Sequence, residues 1–271
     1  GQNDMGLALP WSAINRPNAA GQILDAMGGC WLRDVADTDA LFVTVSSIEA
    51  RPGYERRTLI FSDDIVGDFG ATLLLPPPSS APGPALVVLP GHGEDADDWI
   101  GRYHGDRYPA AGIALLVLSP RGMCVDENED RAARALLRAG SSVVALRMYE
   151  SVRALRYLQA IPQVGFDQVG IMGHSTGSIS ANAIARTDAG FRALVTDLEG
   201  NYYAYISRPL MADVMSPRLY PWHVAINDTT TGNIPRLTVG YGYGVANEDD
   251  PQQPNELPAI FDFVQTTLTA P

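Results

Sequence analysis

The stretch Gln168-Val169-Gly170-Ile171-Met172-Gly173-His174-Ser175-Thr176-Gly177 decides how the rest of this chain is interpreted. Its apolar run predicts a buried strand, and residues Ser178 to Thr187 after it predict a helix. Gly-x-Ser-x-Gly between a strand and a helix is typical of a nucleophile elbow, a strained turn that brings backbone segments close together. The pattern predicts Ser175 as a nucleophile and the Thr176 N–H as a donor to a developing oxyanion. The alternative is a glycine-rich turn with an idle serine.

Strand and helix patterns alternate on both sides of this stretch. Apolar runs predict strands at residues 57–61, 71–75, 85–89, 113–118, 169–172, 192–196 and 234–239. Helical patterns cover residues 95–111, 131–160 with an interruption at Gly140, 178–187 and 257–268. The alternation predicts an α/β domain over residues 51–271. Residues 1–50 are interpreted as an N-terminal extension packed on that domain.

The composition excludes several classes of function. The chain has 271 residues, a net charge of −12, 46% hydrophobic residues and 18% charged residues, as expected for a globular protein. The negative charge argues against a nucleic-acid partner, and no apolar run reaches the length of a membrane span. All 19 basic residues are Arg, which excludes lysine-dependent nucleophiles and phosphate-binding lysines.

The remaining composition leaves three questions open. Cys30 and Cys124 could form a disulfide or stay as thiols. With four widely spaced His and two Cys, no segment has the close ligand spacing of a zinc site, so no metal is expected. Residue 1 is Gly, so a leader could have been removed from a secreted or periplasmic protein; a cytoplasmic location is the alternative. The oligomeric state is unknown.

A second glycine-rich turn follows the buried run of residues 85–89. It reads Pro90-Gly91-His92-Gly93-Glu94, and such a turn lets backbone N–H groups converge on a small anion. The N–H of His92 is therefore the candidate for a second oxyanion donor. For the imidazole of His92, a structural or gating role is favoured over that of a general base.

The order of these motifs, with Pro-Arg-Gly at 120–122, resembles the α/β-hydrolase superfamily and, within it, the dienelactone hydrolase and acetyl xylan esterase groups. The likeness covers roughly residues 55–245. It implies a mostly parallel sheet with helices on both faces and an ester-hydrolysing Ser-His-acid triad that needs no cofactor. By resemblance, Ser175 is the nucleophile, and Thr176 and His92 supply the oxyanion hole.

This chain departs from the pattern of these groups in four places. Ser178 stands where a further glycine is usual, and Pro90-Gly91 replaces the usual His-Gly. The catalytic His of these groups lies after the last strand, but no His follows His223. The acid expected after the strand at 234–239 is also missing from its usual position, which Tyr241 and Tyr243 occupy.

Two interpretations of the missing histidine follow. In the first, His223 is the base and Asp197, at the end of the strand at 192–196, orients it. Glu199, Glu248, Asp249 and Asp250 are the alternative acids. In the second, the chain has no base of its own, and the site is degenerate or completed by another chain.

The leading hypothesis is a serine hydrolase that cleaves small carboxylic (acyl) esters. The alternatives are a non-catalytic ligand-binding protein with the same fold and, ranked last, a peptidase. The sequence does not determine the acyl or alcohol specificity.

Overall fold

The structure, a computed structural model, describes residues 41–64, 66–79, 81–119, 121, 135–136, 138–139, 141–185, 190–197, 234–240 and 255–270. The strands in these residues are β1 (Phe42–Arg51), β2 (Tyr54–Ser62), β3 (Phe69–Leu75), β4 (Gly83–Leu89), β5 (Ala114–Ser119), β6 (Val164–Gly173), β7 (Leu194–Thr196) and β8 (Arg236–Thr238). The helices are α1 (Ala96–Arg102), α2 (Arg107–Ala110), α3 (Val143–Gln159), α4 (Thr176–Ile184) and α5 (Leu257–Leu268).

The described strands form one mixed sheet of eight, in the order β1-β2-β3-β5-β4-β6-β7-β8. Three pairs are antiparallel: β1–β2, β2–β3 and β3–β5. The remaining four pairs, from β5 to β8, are parallel. Strands β4 and β5 are buried along almost their whole length, as apolar runs in the middle of a helix-covered parallel sheet should be. The predicted α/β class and mostly parallel sheet are confirmed.

Helices cover both faces of the sheet. Residues of α3 and α4 pack in one apolar cluster, and residues of α1, α2 and α5 pack in another on the opposite face. The chain leaves β4 towards α1 and leaves its neighbour β6 towards α4, so the two connections diverge to opposite faces. Such a switch point opens a crevice at the carboxyl ends of the two strands, which is where open α/β sheets bind ligands. Both glycine-rich turns lie there.

Two expectations about the elements need correction. Strand β1 crosses residue 50, so residues 42–50 belong to the sheet and the proposed boundary at 50 does not separate them from it. The helix predicted over residues 95–111 is two helices, α1 and α2, because the chain turns between them and His104 adopts a left-handed φ of 51°. His104 therefore lies in a turn and not on a helix face. Residues 1–40 lie outside the described residues.

Candidate active site

The serine turn, residues 173–177, connects β6 to α4 at the crevice. Strand β6 ends at Gly173, and α4 begins at Thr176. Ser175 has φ 48° and ψ −117°, a conformation that favours glycine and is strained for a residue with a side chain. The side chain of Ser175 is half-buried, and no described residue hydrogen-bonds its Oγ. The turn thus holds a hydroxyl at the carboxyl edge of the sheet at a conformational cost.

Gly177 lets α4 approach β4 closely. A Cβ atom at residue 177 would lie 2.0 Å from the carbonyl oxygen of Leu89 and 2.6 Å from that of Pro90. Both contacts are to backbone, so no side-chain rotation can relieve them. The second glycine of the motif is therefore required by tertiary packing against the end of β4.

We expect Gly177→Ala to lower the free energy of unfolding by about 3 kcal/mol, because the methyl group must push α4 away from β4. Gly101→Ala is the matched control: this exposed residue lies in α1, and a Cβ there meets nothing within 4 Å. It should be neutral or stabilise the protein by up to about 1 kcal/mol. Urea unfolding monitored by circular dichroism measures both, and a Gly177→Ala midpoint equal to that of wild type would contradict the packing argument.

The N–H of Thr176 points out of the first turn of α4. Thr176 is the first residue of the helix, where N–H groups have no intrahelical partner. The N–H groups of Gly177 and Ser178 donate to the carbonyls of His174 and Ser175, at 2.7 and 3.0 Å. The Thr176 N–H has no acceptor among the described residues, whereas its hydroxyl accepts a hydrogen bond from the buried Arg147 at 3.3 Å. A backbone donor is thus available beside Ser175.

The turn after β4 lies alongside the serine turn because β4 and β6 are parallel neighbours. Leu89 pairs with Gly173, and the N–H of His174 donates to the Leu89 carbonyl at 3.0 Å. We call residues 91–94 the β4 loop. His92 in this loop is exposed, and Gly91 is buried. The structure therefore brings the segments of both predicted oxyanion donors to the same edge of the sheet.

Asp197 lies directly after β7 and supports the serine turn. Its Oδ1 accepts hydrogen bonds from the Ser175 N–H at 3.0 Å and from the Ser178 hydroxyl at 2.9 Å. Its Oδ2 is hydrogen-bonded to Nδ1 of His174. Ser178, the residue that replaces a usual glycine, is therefore one of the groups that hold this carboxylate. The orientation of His223 by Asp197 stays a prediction, since His223 lies outside the described residues.

His174 occupies the centre of a buried polar chain. Its Nε2 lies 2.8 Å from the hydroxyl of Tyr103, and that hydroxyl donates to Oε1 of Glu94 at 2.8 Å. Glu94 also accepts hydrogen bonds from the Gly91 N–H at 2.8 Å and from Arg102 at 2.6 Å. Burial raises the pKa of Tyr103 well above its usual range, and the charge of Glu94 raises that pKa further. The phenol therefore stays a hydrogen-bond donor at physiological pH.

The sequence pattern assigned no role to three residues of this hydrogen-bonded chain, His174, Glu94 and Tyr103. His174 lies inside the serine motif and Glu94 inside the second glycine-rich turn, so their positions indicated that both residues lie at the candidate site. Tyr103 gave none, because it is one of several aromatic residues in a helical pattern. The alternative acids Glu199, Glu248, Asp249 and Asp250, together with Cys30 and Cys124, lie outside the described residues.

Neither a metal site nor a membrane helix emerges from the part of the chain that the structure describes. There, no His, Cys, Asp and Glu side chains cluster as metal ligands would. In the same residues, no helix combines the length and apolar character needed to cross a bilayer.

Solved structures with the same architecture were found. An acetyl xylan esterase from Paenibacillus sp. R4 superposes with a TM-score of 0.62 at 12% identity, over 96% of this chain and 100% of that one. The chain has the α/β-hydrolase fold. A cold-adapted esterase from an Arctic intertidal metagenomic library shares this α/β-hydrolase fold, with a TM-score of 0.54, 13% identity and coverage of 83% and 98%.

A third structure with the α/β-hydrolase fold is a putative acetyl xylan esterase from Bacteroides fragilis, with a TM-score of 0.53 and 17% identity. The superposition covers 65% of this chain and 52% of that one, so this chain spans about half the length of that esterase. No family model matches the sequence. No curated protein matches it either. The expected superfamily fold is confirmed, and at these identities the likeness is one of fold.

Proposed function

We propose that this protein is a serine hydrolase that cleaves carboxylic (acyl) esters, with Ser175 as the nucleophile. The backbone conformation of Ser175 carries the proposal. A strained serine at the tip of a strand-to-helix turn, at the switch point of an α/β sheet, is the arrangement that a nucleophile elbow requires. Strain of this kind is retained where function needs it.

The proposed reaction assigns one role to each of these groups. The hydroxyl oxygen of Ser175 attacks the ester carbonyl carbon while a base removes its proton. The N–H groups of Thr176 and His92 stabilise the negative charge on the carbonyl oxygen. The base then protonates the departing alcohol, and water releases the acyl group from Ser175 by the same steps. We assign the base to His223 and its orienting acid to Asp197 or to one of the carboxylates at 199 and 248–250.

The assignment of the second oxyanion donor can be tested with two substitutions at one position. His92→Ala keeps the backbone N–H and removes the imidazole, so we expect kcat to stay within about threefold of wild type. His92→Pro removes the N–H, and loss of one oxyanion donor lowers kcat by about 10²- to 10³-fold. Initial rates on p-nitrophenyl acetate measure both variants.

Circular dichroism should show that both His92 variants fold as wild type does. A strong loss of activity in His92→Ala would contradict the assignment and would make the imidazole, not the N–H, the functional group. Equal activities of His92→Pro and His92→Ala would remove the second oxyanion donor from this loop.

A non-catalytic binding protein is the second candidate function. The observation that favours it is the absence of any histidine after His223, where the resemblance places a base. An alkyl fluorophosphonate distinguishes the two functions, because it phosphonylates only an activated serine. We expect one adduct per chain, on the peptide that contains Ser175. An unlabelled, folded wild-type protein would favour the binding protein.

The substrate class can be narrowed by matched ester and amide pairs. The solved structures of this fold described above include proteins named as acetyl xylan esterases. We therefore propose small acyl esters, with acetyl esters the first to test. A peptidase would cleave p-nitroanilides in addition to p-nitrophenyl esters of the same acyl group, and we expect cleavage of the esters alone.

A further inference from the structure

We infer that His174 is a doubly protonated positioning residue that ties the β4 loop to the serine turn and so sets the spacing of the two oxyanion donors. This inference rests on the proposed function, because it concerns the same oxyanion hole. The chain of hydrogen bonds runs from Asp197 through His174 and Tyr103 to Glu94. It joins two segments that are distant in sequence, since Tyr103 and His174 are 71 residues apart.

The carboxylate at each end of this series of hydrogen bonds binds one backbone amide next to a predicted oxyanion donor. Asp197 accepts the N–H of Ser175, the residue before Thr176. Glu94 accepts the N–H of Gly91, the residue before His92. Since neighbouring peptide groups are rigid and share one Cα, fixing these two amides restricts the directions of the two donors that follow. The distance between the two amides is therefore fixed only if the side chains of His174 and Tyr103 keep Asp197 and Glu94 connected.

The imidazole also packs directly against the β4 loop. A Cβ atom at Gly91 would lie 2.6 Å from Cδ2 of His174, so the backbone of Gly91 lies against the ring. The ring centroids of His174 and Tyr103 are 4.7 Å apart. His174 is therefore clamped by packing as well as by hydrogen bonds, which suits a residue that must hold two loops at a fixed distance.

Counting donors and acceptors determines the protons on His174. Asp197 accepts from a backbone N–H and a serine hydroxyl, and Glu94 accepts from a backbone N–H and a guanidinium. Both carboxylates thus act as acceptors. The one proton of Tyr103 is donated to Glu94, so its oxygen must accept from Nε2 of His174. Nδ1 must donate to Asp197, and both ring nitrogens then carry protons.

The charges around the ring balance in this state. Glu94 reaches the ring from the β4 loop, Asp197 from the end of β7, and Arg102 pairs with Glu94 from α1. The imidazolium lies between two buried carboxylates, and Arg102, whose side chain is 60% exposed, offsets the second negative charge from the solvent side. A further cation, Arg147 of α3, donates a hydrogen bond to the hydroxyl of Thr176. With both nitrogens engaged, His174 does not serve as the general base for Ser175.

Kinetics on two variants and their combination test the positioning role. Tyr103→Phe keeps the ring and removes the oxygen that links His174 to Glu94. His174→Asn places an amide nitrogen near Nδ1 and loses the link to Tyr103. Both break the same connection, so we expect each to lower kcat on p-nitrophenyl acetate by about 10- to 100-fold, with KM within about threefold. The kcat of the double variant should be no lower than that of the less active single variant, because both substitutions break the same connection.

A transition-state analogue separates positioning from a general loss of structure. An alkyl trifluoromethyl ketone forms an oxyanion on the serine, so its inhibition constant should rise in the Tyr103→Phe variant by the same factor as kcat/KM falls. Tyr108→Phe is the matched control: Tyr108 is buried on the same face of the sheet, and its hydroxyl contacts Met172 and not His174. It should retain wild-type values. An unchanged kcat in Tyr103→Phe, or additive losses in the double variant, would overturn the positioning role.

The proton count is tested on the wild-type protein without kinetics. Nitrogen-15 NMR at pH 7, assigned by the signals lost in His174→Asn, should show two N–H protons on the His174 ring. A ring with one N–H overturns the proton assignment. If the fluorophosphonate labels no serine in wild type, the proposed function fails and the kinetic role fails with it, while the NMR result still decides the proton count.

Discussion

Ser175→Ala should lower kcat/KM for p-nitrophenyl acetate by about 10⁴-fold or more. Ser175 supplies the only protein atom that bonds to the acyl carbon in the proposed reaction, so no neighbouring group replaces it. Residual activity from oxyanion stabilisation and binding sets the floor. Initial rates over a range of ester concentrations, with reactions without protein to subtract spontaneous hydrolysis, measure the loss.

A serine in the same helix provides the control for this loss. Ser180 is buried in α4, and its hydroxyl has no hydrogen-bond partner among the described residues. Ser180→Ala makes the same chemical change and should keep full activity. Ser175→Gly should be as inactive as Ser175→Ala but more stable by about 1 kcal/mol, because glycine adopts the left-handed conformation without strain. Activity above a tenth of wild type in Ser175→Ala would contradict the nucleophile assignment.

His223→Ala should also lower kcat/KM by about 10⁴-fold or more, because a serine hydroxyl is a weak nucleophile without a base. The structure removes one of the other three histidines from consideration, because both ring nitrogens of His174 are hydrogen-bonded. His92 is assigned to the oxyanion hole through its backbone N–H, and His104 lies in the turn between α1 and α2. We therefore keep His223 as the proposed base and test His92 and His104 beside it.

The His223 prediction is checked by the same assay, with His104→Ala as the control of matched chemistry. His104→Ala should stay within about threefold of wild type. Imidazole added to the buffer should restore part of the activity of His223→Ala and none of that of Ser175→Ala, since it replaces a base and not a nucleophile. An active His223→Ala together with an inactive His92→Ala would move the base to the β4 loop.

Much of the fold followed from short-range patterns. The buried runs that predicted β4 and β5 are continuous and apolar, and they appear as strands with nearly the expected bounds. Helix α5 has the predicted bounds, Leu257 to Leu268, because its apolar positions recur with helical spacing. The errors lie where the pattern was ambiguous. Strand β1 is an edge strand with several exposed apolar residues, and the break at His104 depends on a left-handed residue that is not glycine.

The candidate site was predictable in part. Ser175, Thr176 and His92 were chosen from two glycine-rich turns after buried strands, and the structure brings those turns together because their strands are parallel neighbours. Asp197 was chosen as an acid at a strand end, and it does lie beside Ser175. Its hydrogen bonds to His174 and Ser178 were not predicted, since they depend on how α4 packs against β7.

The sequence by itself determined the α/β class, the strand-to-helix turn at Ser175 and the exclusion of lysine chemistry, because each depends on composition or on residues adjacent along the chain. Only the tertiary structure decided what surrounds that turn. Glu94, Tyr103 and Asp197 reach His174 from three separate segments, up to 80 residues from it along the chain. No local pattern encodes such a meeting, since it exists only once strand order and helix packing have brought the segments to one edge of the sheet.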